Sequence, residues 1–223
     1  MLRRLVALML IFYFYSISAV AFVPEKPLRA TVPVLSIDGA IGPAMSEYLV
    51  GEINKAHLDP QTPLIIITID TPGGLSSSLR HINQRILSST IPIACLVFPQ
   101  GARAASAGTY ILYACHYAAM SPATTLGAAT PVNIASPNQN KSDDENNQSA
   151  SAMEQKILND AIAYIRSLAQ LRNRNAQWAE LSVSNAATLT ATEALEENVI
   201  NYVAASPQQL LEILFNENQL AVN

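Results

Sequence analysis

The chain has 223 residues, of which 50% are hydrophobic and 13% are charged, and its formal net charge is −4. This length and composition suit one domain with a sizeable hydrophobic core. The acidic balance provides no basic surface for nucleic acid, so we expect no nucleic-acid partner.

The N-terminal segment has the pattern of a targeting sequence. A short basic start precedes an almost wholly apolar stretch at residues 5–23, and residues 19–21 match the small-x-small pattern of a signal-peptide cleavage site. We therefore predict a signal peptide at residues 1–21, with an uncleaved membrane anchor as the alternative. Residues 22–223 then form one exported domain on the periplasmic or extracytoplasmic side of a membrane.

Apolar runs and amphipathic segments alternate through the first half of this domain. The run at residues 63–69 is continuously apolar, which is typical of a strand buried on both faces. Strands that alternate with helices predict an α/β fold with a largely parallel core sheet. Strands are predicted at 30–37, 63–69, 91–98 and 117–120, and helices at 42–56, 75–87 and 104–116.

The second half of the domain begins with a change of composition. Residues 133–149 are rich in Asn, Ser and Asp, which predicts a mobile surface loop that acts as a lid. Ser151 and Glu154 have the spacing of a capping box and predict that a long helix begins there. Further helices are predicted at 176–182, 190–197 and 207–215, and a strand at 199–203.

The two cysteines, Cys95 and Cys115, lie in apolar stretches and lack the spacing of a metal site. We predict that both are buried thiols that act as small hydrophobic side chains. A disulfide between them in an oxidising compartment is the alternative. We expect neither a metal nor a cofactor.

Two small-residue segments follow buried strands and precede predicted helices. They are Asp-Thr-Pro-Gly-Gly at 70–74 and Gly-Ala-Arg-Ala-Ala-Ser-Ala-Gly-Thr at 101–109. Two strand-to-helix turns of this kind can place backbone N–H groups and one serine hydroxyl around a single point. Acyl transfer needs this arrangement of a nucleophile beside an oxyanion hole. A tight turn is the simpler interpretation of Gly73 and Gly74.

Ser106 is the candidate nucleophile of the second segment. Its small neighbours permit close approach of a substrate, and the field at a helix start favours an oxyanion. An N-cap serine in a tightly packed helix is the alternative interpretation. The histidines are poor partners for it: His116 lies roughly 15 Å further along the same predicted helix, and His57 and His81 have the pattern of surface or helix-end residues.

Lys156 suits the role of base better than any histidine. It lies in the first turn of the predicted long helix, where the helix dipole disfavours a cation, and it is followed by two apolar residues. Both features favour an amine that accepts a proton. Lys141 is the rival base, although its place in the polar loop keeps it hydrated. An ordinary solvated lysine is the alternative for Lys156 as well.

The ordered set of short segments resembles the NfeD-type membrane-associated serine proteases, the stomatin-operon partner proteases of the ClpP and signal-peptide-peptidase-A fold group. The resemblance extends from about residue 34 to residue 214. It is carried by residues 69–74, 101–111, 120–122, 127–129, Lys156 with 163–169, 193–195 and 199–200.

This resemblance implies a ClpP/crotonase-like fold and a Ser106–Lys156 dyad, with oxyanion donors from the Gly73-Gly74 turn and the Ala107 N–H. It also implies a homodimer or higher homo-oligomer that cleaves hydrophobic segments of membrane-associated proteins, with a stomatin-like protein as a candidate partner. A non-catalytic scaffold of the same fold is the alternative function. A third, an acyl-CoA enzyme, would need neither the serine nor the lysine.

Overall fold

The computed structural model describes residues 31–131 and 144–217, with side chains from residue 152 onward in the second range. Its strands are β1 (Val34–Asp38), β2 (Ile65–Asp70), β3 (Ile93–Val97), β4 (Arg103–Ala105), β5 (Tyr117–Met120), β6 (Thr125–Gly127), β7 (Thr188–Thr190) and β8 (Tyr202–Val203). Its helices are α1 (Pro43–Ala56), α2 (Ser76–Leu87), α3 (Ala107–Ala114), α4 (Asp144–Leu171), α5 (Ala176–Ser184), α6 (Ala191–Glu196) and α7 (Pro207–Asn216).

The described strands form two sheets. The larger sheet has the order β1-β2-β3-β5-β8, and all its neighbouring strands are parallel. In the smaller sheet, of order β4-β6-β7, β4 and β6 are parallel and β7 is antiparallel. The predicted α/β fold with a largely parallel core sheet is therefore confirmed.

Strand β2 shows why a continuous apolar run was needed at the centre of the sheet. Ile65, Ile67 and Ile69 face the main core, where helices α1 to α5 pack. Ile66 faces a smaller core on the other side, where Leu210 of α7 packs. Helices cover both faces, which is why the strand is mostly apolar. Its one buried polar side chain, Thr68, is hydrogen-bonded to Leu35 O.

The ends of the central strands position the two small-residue segments side by side. The chain leaves β2 at Asp70, whose carboxylate accepts the Arg103 N–H at 3.1 Å. Thr71 then pairs with β4, since its N–H donates to Arg103 O at 2.8 Å and its carbonyl accepts from Ala105 N at 3.1 Å. Backbone hydrogen bonds therefore bring Ser106, the residue after β4, next to the Gly73-Gly74 turn.

The smaller sheet was not predicted. Residues 103–105 were expected to begin a helix, but they form β4, and α3 begins only at Ala107. The three strands of this sheet are each three residues long. Strands as short as these show too little alternation to be recognised in a sequence.

Helix α4 also begins earlier than predicted. It starts at Asp144, so the last residues of the predicted loop are helical and Ser151 is not an N-cap. The remainder of the predicted lid, including Lys141, lies outside the described residues. A capping box is present instead at Thr190 and Glu193 of α6.

The prediction of two free thiols is wrong. Cys95 in β3 and Cys115, directly after α3, form a disulfide, and their Cα atoms are 5.9 Å apart. Helix α3 begins near the end of the sheet, and Cys115, the residue that follows it, lies beside the middle of β3. The sequence separation of 20 residues gave no sign of this contact.

Within the described ranges, we find no helix whose length and hydropathy would allow it to cross a bilayer. The predicted signal peptide or anchor at residues 1–21 lies outside those ranges. The division into a leader and a domain at 22–223 therefore stays a prediction.

Candidate active site

Ser106 has an unusual backbone conformation at the start of α3. Its φ is 52° and its ψ is −116°, in the positive-φ region that favours glycine. A non-glycine residue in a sparsely populated region costs about 1–3 kcal/mol, so its surroundings must hold it there. Its N–H donates to Gly127 O at 3.0 Å, which ties it to β6. Strain of this kind is concentrated at functional sites.

The hydroxyl of Thr109 hydrogen-bonds to the backbone around Ser106. Thr109 is fully buried, and its Oγ1 lies within hydrogen-bond distance of Ala104 O at 2.8 Å and Gly127 O at 3.0 Å. Oγ1 also accepts the Gly127 N–H at 3.2 Å. Sequence reasoning missed Thr109, although a threonine in the first turn of a helix can reach a preceding carbonyl.

Gly73 contacts Ser106 so closely that it must lack a side chain. Its φ is 113°, and a Cβ there would lie 2.6 Å from Ser106 Cβ and 3.0 Å from Ser106 Oγ. The Gly73 N–H donates to Thr71 Oγ1 at 3.0 Å. A Cβ at Gly74 would collide with the backbone of Ile41, so this glycine is needed for close packing.

The predicted oxyanion residues therefore differ in what they offer. The Gly73 N–H is already engaged by Thr71, whereas the N–H groups of Gly74 and Ala107 have no acceptor among the described residues. Both residues line the same cavity as Ser106. Two unpaired N–H groups beside a serine hydroxyl form the kind of site that binds an oxyanion.

The cavity beside Ser106 has a volume of about 840 Å³. The apolar part of its wall comes from the N-cap of α2 and from α2, α3 and α4, through Leu75, Leu79, Tyr110, Ile157, Leu158 and Ala161. The charged side chains of Arg80, Glu154, Lys156 and Asp160 line it as well. Burial raises the pKa of Tyr110 and of Tyr164, which also lines the cavity. Both phenols therefore stay protonated at neutral pH and are unsuited to take a proton from serine.

Lys156 lines this cavity as well, but it is not placed as the sequence suggested. It lies about three turns beyond the start of α4. The expected effect of the helix dipole on its charge is therefore wrong. Its side chain is exposed and forms no ion pair or hydrogen bond with any described residue, Ser106 included.

The three histidines are occupied elsewhere. His81 Nδ1 lies 3.1 Å from Ser46 Oγ, and His57 Nδ1 lies 2.8 Å from Ile53 O. His116 follows α3, instead of lying within it, and accepts the Ile93 N–H. No histidine is found among the residues that line the cavity in the described part of the chain.

Comparison with known proteins gives matches over most of the described chain. The family described as NfeD1b, N-terminal domain, matches residues 31–221. Membrane-bound protease PH1510 of Pyrococcus horikoshii is 44% identical over 150 residues, which are 66% of this chain and 32% of that protein. Membrane protein NfeD1b of Bacillus subtilis is 32% identical over 107 residues, 48% of this chain and 24% of that protein. The chain thus spans a third or less of these curated relatives.

Solved structures of the 1510-N membrane-bound stomatin-specific protease have the same fold. A variant with one lysine replaced by alanine, in complex with a substrate peptide, has a TM-score of 0.71 and 37% identity, over 82% of this chain and 80% of that one. A variant with one serine replaced by alanine has a TM-score of 0.72 and 38% identity, over 82% and 84%. With its fold, its site and the family match over 31–221, the chain belongs to the NfeD1b N-terminal domain family.

Proposed function

We propose that this chain is a serine endopeptidase in which Ser106 is the nucleophile and Lys156 is the general base. The observation that carries the proposal is one cavity lined by Ser106, which is strained, and by Lys156, Gly74 and Ala107. Among the described residues, Lys156 has no ion pair, and the N–H groups of Gly74 and Ala107 have no acceptor. The solved relatives are proteases, and variants of them lack one serine or one lysine, which supports the same pair of residue types here.

In the first step, the neutral amine of Lys156 takes the proton of Ser106 Oγ as this oxygen attacks the peptide carbonyl carbon. The carbonyl oxygen becomes negatively charged. The N–H groups of Gly74 and Ala107 donate to it, and the start of α3 adds a favourable field. These interactions strengthen as the charge develops, so they lower the barrier.

In the second step, the tetrahedral intermediate collapses. The C–N bond breaks, and the Lys156 ammonium gives its proton to the leaving amine, which leaves an ester between Ser106 and the substrate. A water molecule then attacks the carbonyl carbon of this ester, and Lys156 takes a proton from the water. The acid is released, and Ser106 Oγ recovers its proton from Lys156.

The substrates we propose are extended, apolar segments of membrane-associated proteins, including a stomatin-like protein. The apolar wall of the cavity supports this choice, since burial of an apolar side chain there is favourable. One solved relative is described as specific for a stomatin homolog. We also propose that the protein works as a homo-oligomer on the extracytoplasmic face of a membrane, in line with its predicted leader and its membrane-bound relatives.

One observation favours a second candidate function, a non-catalytic scaffold that binds a membrane protein. Lys156 is exposed and is not hydrogen-bonded to Ser106. A scaffold would keep the cavity without needing this contact. In the endopeptidase, the contact forms when substrate excludes water from the cavity.

Labelling with a serine-reactive phosphonate separates the two candidates. The endopeptidase is labelled at Ser106 and cleaves an apolar peptide, and Ser106→Ala and Lys156→Ala each lower kcat/KM by at least about 10³-fold. The double variant loses little more, because the two side chains act as a unit. Ser36→Ala and Lys55→Ala, which alter surface residues of β1 and α1, are the controls. An unlabelled wild-type protein would favour the scaffold.

A further inference from the structure

Arg80 of α2 contacts two residues of α4, the helix that carries Lys156, at the edge of the cavity. Asp160 and Tyr164 follow Lys156 by one and two turns on the same side of α4. Arg80 of α2 contacts both: its Nη2 lies 2.5 Å from Asp160 Oδ2, and its guanidinium carbon lies 4.2 Å from the Tyr164 ring centroid. All four residues line the cavity that contains Ser106.

Further contacts connect this arginine to α3. The Tyr164 ring stacks on Tyr110 of α3, with their centroids 5.9 Å apart. The Tyr164 hydroxyl accepts from Asn83 Nδ2 at 3.0 Å, and the same amide donates to Tyr110 O at 3.3 Å. We call Arg80, Asn83, Tyr110, Asp160 and Tyr164 the helix clamp, because together they join α2, α3 and α4.

We propose that Arg80 is a positioning residue, which sets Lys156 opposite Ser106 by holding α4 in the helix clamp. This inference rests on the proposed function. Helix α2 begins directly after the Gly73-Gly74 turn, which contacts Ser106. Arg80 therefore fixes the position of α4 relative to this turn. Since Lys156 has no polar contact of its own in the described chain, its position depends on that of its helix.

Because the ion pair of the helix clamp is exposed, its loss should affect the reaction rate much more than the stability of the fold. The side chains of Arg80 and Asp160 are 43% and 71% exposed, and exposed ion pairs contribute little to stability. Catalysis is far more sensitive, because a misplacement of about 1 Å can lower a rate by roughly 10²-fold. Loss of Arg80 should therefore slow the reaction while the protein stays folded.

The test compares Arg80→Gln, Asp160→Asn, the double variant and the reversed pair Arg80→Asp with Asp160→Arg. Arg85→Gln is the matched control, since Arg85 lies on the same helix but contacts Asn54 and Ser88, away from the cavity. Three quantities are measured: the rate of labelling by a small phosphonate, amide hydrogen exchange over residues 152–160, and the thermal midpoint. A small phosphonate does not fill the cavity, so its rate reports on the nucleophile and base.

Arg80→Gln should slow labelling by roughly 10- to 100-fold, speed exchange over 152–160 and leave the thermal midpoint nearly unchanged. The double variant should be no slower than Arg80→Gln, and the reversed pair should recover part of the rate. Labelling of Arg80→Gln at the wild-type rate, unchanged exchange, or an equal effect of Arg85→Gln would overturn the proposal.

The outcome also separates this inference from the proposed function. If the wild-type protein is neither labelled nor active, the proposed endopeptidase fails, and the positioning role fails with it. Hydrogen exchange then still decides whether Arg80 holds α4. If the wild type is labelled but Arg80→Gln is labelled equally fast, only the positioning role fails.

Discussion

Gly73 and Ser106 approach each other so closely that a methyl group on Gly73 would lie 2.6 Å from Ser106 Cβ. Gly73→Ala should therefore displace Ser106 from its place beside the N–H groups of Gly74 and Ala107. We expect phosphonate labelling to slow by about 10²-fold or more, since a misplacement of about 1 Å can lower a rate by that factor. Labelling kinetics at fixed phosphonate concentration measure the effect.

Gly101→Ala is the matched control for this prediction. Gly101 also has a positive φ, 89°, but a Cβ there would meet nothing within 4 Å. Both variants carry the conformational penalty of alanine at positive φ, about 1–2 kcal/mol. Equal labelling rates in Gly73→Ala and Gly101→Ala would show that the contact with Ser106 does not matter.

The hydroxyl of Thr109 should stabilise both the fold and the reactive turn. Thr109→Val keeps the shape of the side chain but leaves the buried carbonyl of Ala104 without this partner, which costs about 1–3 kcal/mol. Urea unfolding and phosphonate labelling should both register the loss, and Thr109→Ser should restore most of each. A valine variant as stable and as reactive as the wild type would contradict the role assigned to Thr109.

His116 should make the protein less stable in mild acid. Burial, with the positive charges of Arg172 and Arg174, lowers the pKa of His116 from 6.5 to about 4. The unfolded chain therefore binds a proton at a higher pH than the folded chain does. The contribution of His116 to the free energy of unfolding is complete above pH 6.5 and is lost as the pH falls towards 4.

Urea unfolding of the wild type and of His116→Gln, at several pH values between 7 and 4, measures this contribution. Glutamine does not titrate in this range, and its carbonyl oxygen can accept the Ile93 N–H that the imidazole accepts. The variant should show a shallower loss of stability on acidification. The same pH dependence in both proteins would assign the effect to other groups.

The disulfide should stabilise the fold by closing a loop that contains the nucleophile. For its sequence separation of 20 residues, the loop-entropy relation gives roughly 3 kcal/mol. The free energy of unfolding should fall by this amount in reductant. The double variant Cys95→Ala with Cys115→Ala should already be less stable and should not respond to reductant. A wild type that is indifferent to reductant would argue against the bond.

Strong local patterns made much of the fold predictable. Continuous apolar runs located β2 and β3, and amphipathic spacing located α1 and α2 within a residue or two. The smaller sheet was missed because its strands consist largely of Ala, Thr, Leu and Gly in runs of three. Helix packing and strand pairing over long separations, not local preference, determine such elements.

The segment 172–175 shows why the contacts that hold the end of α3 could not be predicted. The turn after α4 contains Asn173, which has a φ of 53°. Asparagine tolerates this left-handed conformation. Arg174 is buried and donates to the carbonyls of Leu112, Tyr113, Cys115 and His116 at the end of α3. These acceptors lie about 60 positions away, beyond any local pattern.

Lys156 lies on an exposed part of α4, apart from the other residues of the proposed site, and this separation bears on how the family can diversify. The serine, its glycine turn and the N–H groups of Gly74 and Ala107 all lie at the ends of sheet strands, whereas the amine comes from α4. A duplicated gene that exchanged this single lysine would keep the folded cleft. If the chain is the endopeptidase proposed above, one substitution would then separate binding of a substrate from its cleavage, and selection could act on each separately.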